Sequence, residues 1–186
     1  PETDKDLAAN YSVKSLDNRL ENQMALQKQF GLPATKGDVF VVGMVSRMDG
    51  QKGFDLVTQM LKPLMENINF QFVIIGEGDP SYRIFFEELK NQYPDRVGTH
   101  FSFDARLPRL IFGGADAVLI PSKYEPSGLV QMEAMRYGCV PIVRKTGGLA
   151  DSVEDFAPEK EEGTGFVFEK YDPFSLTIAV IRASEL

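Results

Sequence analysis

From residue 39 onward, short apolar runs alternate with amphipathic stretches. The pairs run 39–45 then 54–65, 70–75 then 82–93, 97–103 then 107–112, 117–120 then 129–137, 140–143 then a short helix near 149–153, and 165–168 then 173–183. Runs that are apolar at consecutive positions predict strands buried on both faces, and the amphipathic stretches between them predict helices. That alternation is the mark of βα units and a parallel sheet. The expected fold class is α/β: a Rossmann-like, doubly wound parallel sheet of about six strands. Upstream, residues 21–30 carry a helical pattern through Met24, Leu26 and Phe30, stopped by Gly31-Leu32-Pro33. Residues 1–20 are polar and read as a surface arm arriving from something upstream. There is no internal repeat and no low-complexity tract, and 158–165 (PEKEEGTG) reads as a charged surface loop.

Composition narrows the class. The 186 residues fit one domain, and 43% hydrophobic residues suffice for a core. Twenty Lys and Arg against 27 Asp and Glu give −7, which argues against nucleic-acid or anionic-membrane partners. No apolar run approaches the roughly 20 residues of a membrane helix, and no signal peptide is visible. The single cysteine, Cys139, reads as a small buried hydrophobe and is compatible with a reducing compartment. Nothing has metal-ligand spacing, and no resident cofactor is expected.

Parallel sheets bind ligands at the carboxyl ends of their strands, so the residues following each run carry the chemistry. After 39–45 come Arg47 and, before a helix, Lys52. Together they form either a pyrophosphate clamp or two ordinary solvated cations. After 70–75 comes Gly76-Glu77-Gly78, a tight turn or a close backbone approach to a nucleoside. Phe103, at the end of the third run, either packs in the core or stacks on a base. The stretch 122–133 (SKYEPSGLVQME) joins the fourth run to a helix, with Glu125 on the loop and Glu133 expected two turns into the helix. Both carboxylates are expected to face one pocket. The N–H groups of Gly128, Leu129 and Val130 there are candidate phosphate donors. Thr146, Gly147 and Gly148 open a short helix and form either a second set of amide donors or a turn that needs glycine.

Five segments in order resemble one family: 43–53 (GMVSRMDGQKG), 75–79 (IGEGD), 113–116 (GGAD), 121–129 (PSKYEPSGL) and 135–151 (MRYGCVPIVRKTGGLAD). They are similar to the C-terminal, nucleotide-binding domain of bacterial glycogen synthases and plant starch synthases. These are retaining glycosyltransferases of the GT-B fold that use ADP-glucose. The resemblance spans nearly the whole of 1–186 and makes residues 1–20 the arm just past the interdomain linker. The chain is then expected to be part of a longer enzyme whose N-terminal acceptor domain is absent. It implies that Arg47 and Lys52 bind the ADP phosphates and stabilise the leaving diphosphate, and that Phe103 stands where an aromatic, usually Tyr, stacks on adenine. It also implies that Glu125 contacts the transferred glucose, and that the backbone of Ser127, Gly128, Leu129 and Val130 and of Thr146, Gly147 and Gly148 touches glucose or phosphate. Many bacterial members have Cys where Ser127 stands and Tyr where Glu133 stands. Glu133 instead completes the E-x7-E of the wider GT-B group, whose second glutamate holds the ribose.

The activity implied is transfer of glucose from ADP-glucose to the non-reducing end of an α-1,4-glucan, in bacterial cytoplasm or the plastid stroma. Departing charge is neutralised without a metal, and the isolated domain is expected to be inactive. Rival readings are a UDP- or GDP-sugar transferase of the sucrose-phosphate-synthase type and a non-catalytic sugar- or nucleotide-binding module. An NAD-dependent dehydrogenase is disfavoured, because SRMDGQKG follows the first run where G-x-G-x-x-G belongs.

Overall fold

The computed structural model describes residues 1–185. Six strands, β1 (Phe40–Val45), β2 (Phe70–Ile75), β3 (Val97–His100), β4 (Ala117–Ile120), β5 (Val140–Arg144) and β6 (Phe166–Phe168), form one all-parallel sheet in the order β3-β2-β1-β4-β5-β6. The helices are α1 (Arg19–Gln29), α2 (Phe54–Asn67), α3 (Pro80–Gln92), α4 (Leu107–Gly114), α5 (Val130–Arg136), α6 (Gly147–Ser152) and α7 (Pro173–Ser184). Side chains alternate across the sheet. Met44, Phe72, Ile74 and Leu119 meet α2, α3 and α7 on one face, while Val41, Val73, Val118 and Val143 meet α1, α4, α5 and α6 on the other. Both faces are therefore dry, as the continuous apolar runs predict, and each fully buried Phe or Leu contributes about 1.5–3 kcal/mol.

Local chemistry sets the helix starts. Asp79 accepts from Ser81 N–H and Asp172 from Ser175 N–H, each followed by a proline in the first turn of α3 and α7. Strand β3 stops at His100, three residues short of the expected run, because the Phe103 N–H turns aside to Glu77 Oε1 at 2.9 Å.

Two helix connections leave the sheet in opposite directions: β1 feeds α2 on one face, and β4 feeds α5 on the other. The ladder between β1 and β4 comprises only Val42↔Ala117 and Gly43↔Val118. Beyond it the strand ends diverge, and this is the switch point at which such sheets bind ligands.

The arm of residues 1–20 lies at the surface, with Tyr11 its one buried residue, and it is strapped to the body. Tyr11 is buried, and its hydroxyl donates to Tyr137 O at 2.7 Å. Asn22 on α1 exchanges two bonds with the backbone of Ala9, and Tyr137 donates to Asp4 Oδ2 at 2.5 Å. The polar pattern hid this docking because its anchors are hydrogen bonds to residues distant in sequence, which leave no local periodicity.

At the other end of β4, Asp116 Oδ2 accepts from Val41 N–H (2.7 Å) and Gln23 Nε2 (3.1 Å). Burial pushes this carboxyl above the ordinary carboxylate range, against the pull of the Val41 N–H and Arg19. Between about pH 4 and that raised value the folded chain holds a proton the unfolded chain has lost. The stability it contributes is complete at lower pH and declines as pH rises through the window. We predict that the stability of the wild-type chain relative to Asp116→Asn, from urea midpoints, falls as pH rises from about 4. A difference that climbs or stays level over that range refutes the raised carboxyl.

Candidate functional site

The last two residues of β1, Met44 and Val45, and of β4, Leu119 and Ile120, wall a cavity of about 310 Å³ completed by Ser46, Lys52, Pro121, Ser122, Glu125 and the stretch from Ser127 to Gln131. A second hollow of about 300 Å³ adjoins it, lined by Arg47, Gly76, Glu77, Ser102, Phe103 and Asp104 among others. Val45 and Ser46 border both, so one crevice crosses the carboxyl end of β1. A larger hollow of about 460 Å³ near Arg19 and Asp116 opens at the amino ends of the strands and holds none of the candidate catalytic or substrate-binding residues.

Lys52 reaches the cavity because Asp49 Oδ1 accepts from the N–H groups of Gln51 and Lys52, starting a 3₁₀ turn over Gly50–Lys52. The backbone of that turn is tied across by Lys123 N–H to Gln51 O at 2.8 Å. Lys52 Nζ then lies 2.6 Å from Glu125 Oε2, with side chains only 23% and 14% exposed, and Ser122 Oγ donates to the same oxygen at 3.2 Å. The pairing of Lys52 with Glu125 was not legible in the sequence, which gave the two separate duties. An ammonium has three N–H donors, so one spent on Glu125 leaves two for another anion.

Arg47 is 78% exposed, 3.6 Å from Asp49, and borders the second hollow rather than the first. The two cations therefore flank the crevice from neighbouring hollows instead of closing as one clamp. Phe103 is 85% exposed, which removes the core reading and leaves a ring on the crevice rim. The Gly76-Glu77-Gly78 turn is a close backbone approach. A Cβ on Gly76 would lie 1.8 Å from Ser46 O, and Met48 exchanges bonds with Glu77 O and the Asp79 N–H.

Two expectations are corrected. Helix α5 begins at Val130, so Glu133 is in its first turn rather than two turns along, is exposed, and does not line the cavity. Its delay traces to Gly128, whose φ of +67° keeps the preceding loop out of the helix. The Gly148 N–H, expected to serve a ligand, donates to Glu125 O at 2.9 Å and braces that loop.

Sequence reasoning also missed three supports. Ser122 bonds Glu125. Arg144 donates to the carbonyls of Ser122 and Lys123, holding the loop before Glu125 from below. Gln131, fully buried, bonds the carbonyls of Ser127 and Gly128. A polar residue at a position of α5 that the helical pattern turns inward was the one available signal. Cys139 is buried as expected, and burial pushes its thiol up to about 12. No helix among the described residues is long and apolar enough to cross a membrane.

The family described as glycosyl transferases group 1 matches residues 27–186. The chain is 46% identical to a glycogen synthase of Gloeobacter violaceus over all of its own length and 40% of that protein's, and 45% identical to one from Kosmotoga olearia, covering 38% of it. It thus spans about two-fifths of the curated relatives it matches. Among solved structures, the catalytic domain of starch synthase IV from Arabidopsis thaliana bound to ADP and acarbose superposes on the whole chain with a TM-score of 0.89 and 37% identity, 38% of that chain being covered. The α/β sheet is accordingly one half of the GT-B architecture.

The close approach of Gly148 to the loop that carries Glu125 is open to test. Helix propensity favours alanine over glycine inside α6 by about 1 kcal/mol, yet a Cβ here would lie 2.0 Å from Ser127 O. We predict that Gly148→Ala destabilises the chain by roughly 2–3 kcal/mol in denaturant unfolding. Equal or higher stability would contradict the close approach of the two loops.

Proposed function

This chain belongs to the glycosyl transferases group 1 family, and from that premise we propose that it is the donor-nucleotide-binding domain of a glycogen or starch synthase. The intact enzyme transfers glucose from ADP-glucose to the non-reducing end of an α-1,4-glucan with retention, in bacterial cytoplasm or the plastid stroma. A second domain, outside residues 1–186, supplies the acceptor surface. The observation that carries the reading is the Lys52–Glu125 pair on the wall of the switch-point cavity, beside the hollow rimmed by Phe103.

Each side chain then has a task that follows from its surroundings. Phe103 offers an exposed ring to adenine; losing the usual tyrosine hydroxyl spares stacking. Arg47 and the two free N–H donors of Lys52 reach the diphosphate from two sides. The amides of Gly128, Leu129 and Val130, with those of Thr146 and Gly147, add fixed dipoles. Glu125, held by Lys52 and Ser122, presents its remaining acceptor capacity to hydroxyls of the glucose. Glu133, exposed in the first turn of α5 and lining neither hollow, is assigned to the ribose hydroxyls from the E-x7-E pattern alone. Catalysis by this half rests on orientation and on stabilising negative charge as ADP departs. The neighbour bound to ADP and acarbose favours ADP-glucose over UDP-glucose.

Calorimetric titration of the chain with ADP, UDP and adenosine tests this reading. ADP should bind more tightly than UDP. Lys52→Ala or Arg47→Ala should weaken ADP by about 10- to 150-fold, the value of a charge-assisted contact, and leave adenosine nearly unchanged. Glu125→Gln should retain ADP affinity and, in the intact enzyme, lose turnover, because a group that orients the reacting sugar acts mainly in the transition state. Parallel losses for ADP and adenosine in the cation variants would make them supports of the fold.

A further inference from the structure

The fully buried Gln131 carries an unmatched atom. Its Nε2 donates to Ser127 O (3.1 Å) and Gly128 O (3.0 Å) and lies 3.0 Å from Ser152 Oγ, whose own hydrogen goes to Gly148 O at 2.6 Å. Every neighbour on that side accepts, so the amide is fixed with its NH₂ toward them. Its Oε1 is left buried without a donor. An orphaned interior acceptor is a cost that calls for a reason.

The reason lies in the peptides it grips. No peptide bond among the described residues is cis, and in a trans peptide the N–H points opposite the C=O of the same unit. Drawing the Ser127 and Gly128 carbonyls onto Gln131 therefore turns the N–H groups of Gly128 and Leu129 the other way. Gly128 at φ +67° followed by right-handed Leu129 (φ −111°, ψ −27°) is the alternation that curves successive N–H groups toward one point. We propose that Gln131, with Ser152 behind it, is a positioning residue that aims these two amides into the crevice to receive an acceptor-only group, a phosphate oxygen of the donor's diphosphate beside Lys52. This rests on the functional reading above and assigns the fixed end of that site.

Gln131→Met keeps the volume and removes both donors; Gln131→Glu keeps the shape but donates only when protonated. By calorimetry on the full chain, Gln131→Met should lose about tenfold in ADP affinity while adenosine changes by less than about twofold. For Gln131→Glu, ADP affinity relative to wild type at the same pH should recover as pH falls; for the Met variant the ratio should stay flat. If both variants bind neither ligand, Ser152→Ala decides, with a smaller loss expected for ADP alone. Wild-type-like ADP binding in Gln131→Met, equal losses for ADP and adenosine, a pH-independent ratio in Gln131→Glu, or an unchanged Ser152→Ala would overturn the assignment. A wild-type chain that does not bind ADP would instead overturn the functional reading and this role with it.

Discussion

Two parallel strands pairing over only two residues is the constraint from which this molecule's site follows. Past Gly43 and Val118, β1 and β4 lose each other as partners, because one must feed a helix on the front of the sheet and the other a helix on the back. The gap is walled by apolar strand ends, and polar groups from the flanking loops meet in it. Lys52 and Glu125, 73 positions apart, neutralise each other there at 2.6 Å. Removing either would leave the other partly buried without its counter-charge, an outcome that costs more than the pair itself is worth.

The loops around the gap are held by backbone more than by packing. Ser46 and Gly76 approach so closely that no side chain fits between them, and Gly148 does the same against Ser127. Arg144 and Gln131 each bond two consecutive carbonyls, from below and from inside the loop that carries Glu125. A site built this way keeps its amides and its carboxylate in place before a ligand arrives, which reduces the ordering that binding demands.

The strands and helices were legible in the sequence because their signal is periodic and local: 117–120 reads as a buried strand and is β4, and 70–75 is β2. The site was legible as a set of residues at strand ends, and Lys52, Glu125, Ser127, Gly128, Leu129 and Val130 do share one cavity. What the sequence hid is pairing across distance. Nothing in 46–53 announces that Lys52 bonds Glu125, and nothing in 146–148 announces that the Gly148 amide is already taken. Glu133 was misplaced because a helix start was inferred from apolar pattern, where the backbone conformation of Gly128 decides it. How the arm of residues 1–20 is tethered was hidden in the same way as the Lys52–Glu125 pair: its anchors, Tyr11 to Tyr137 and Asp4 to Tyr137, span more than a hundred positions.

The central claim is that the crevice between β1 and β4 is where the nucleotide diphosphate sits. A crystal structure of the chain grown with ADP measures it directly, through the separation between Lys52 Nζ and the nearest phosphate oxygen. The account predicts a charge-assisted hydrogen bond of about 2.7–2.9 Å with adenine lying on Phe103. ADP found in the hollow at the amino ends of the strands, or in the crevice with Lys52 bonded only to Glu125, would contradict it.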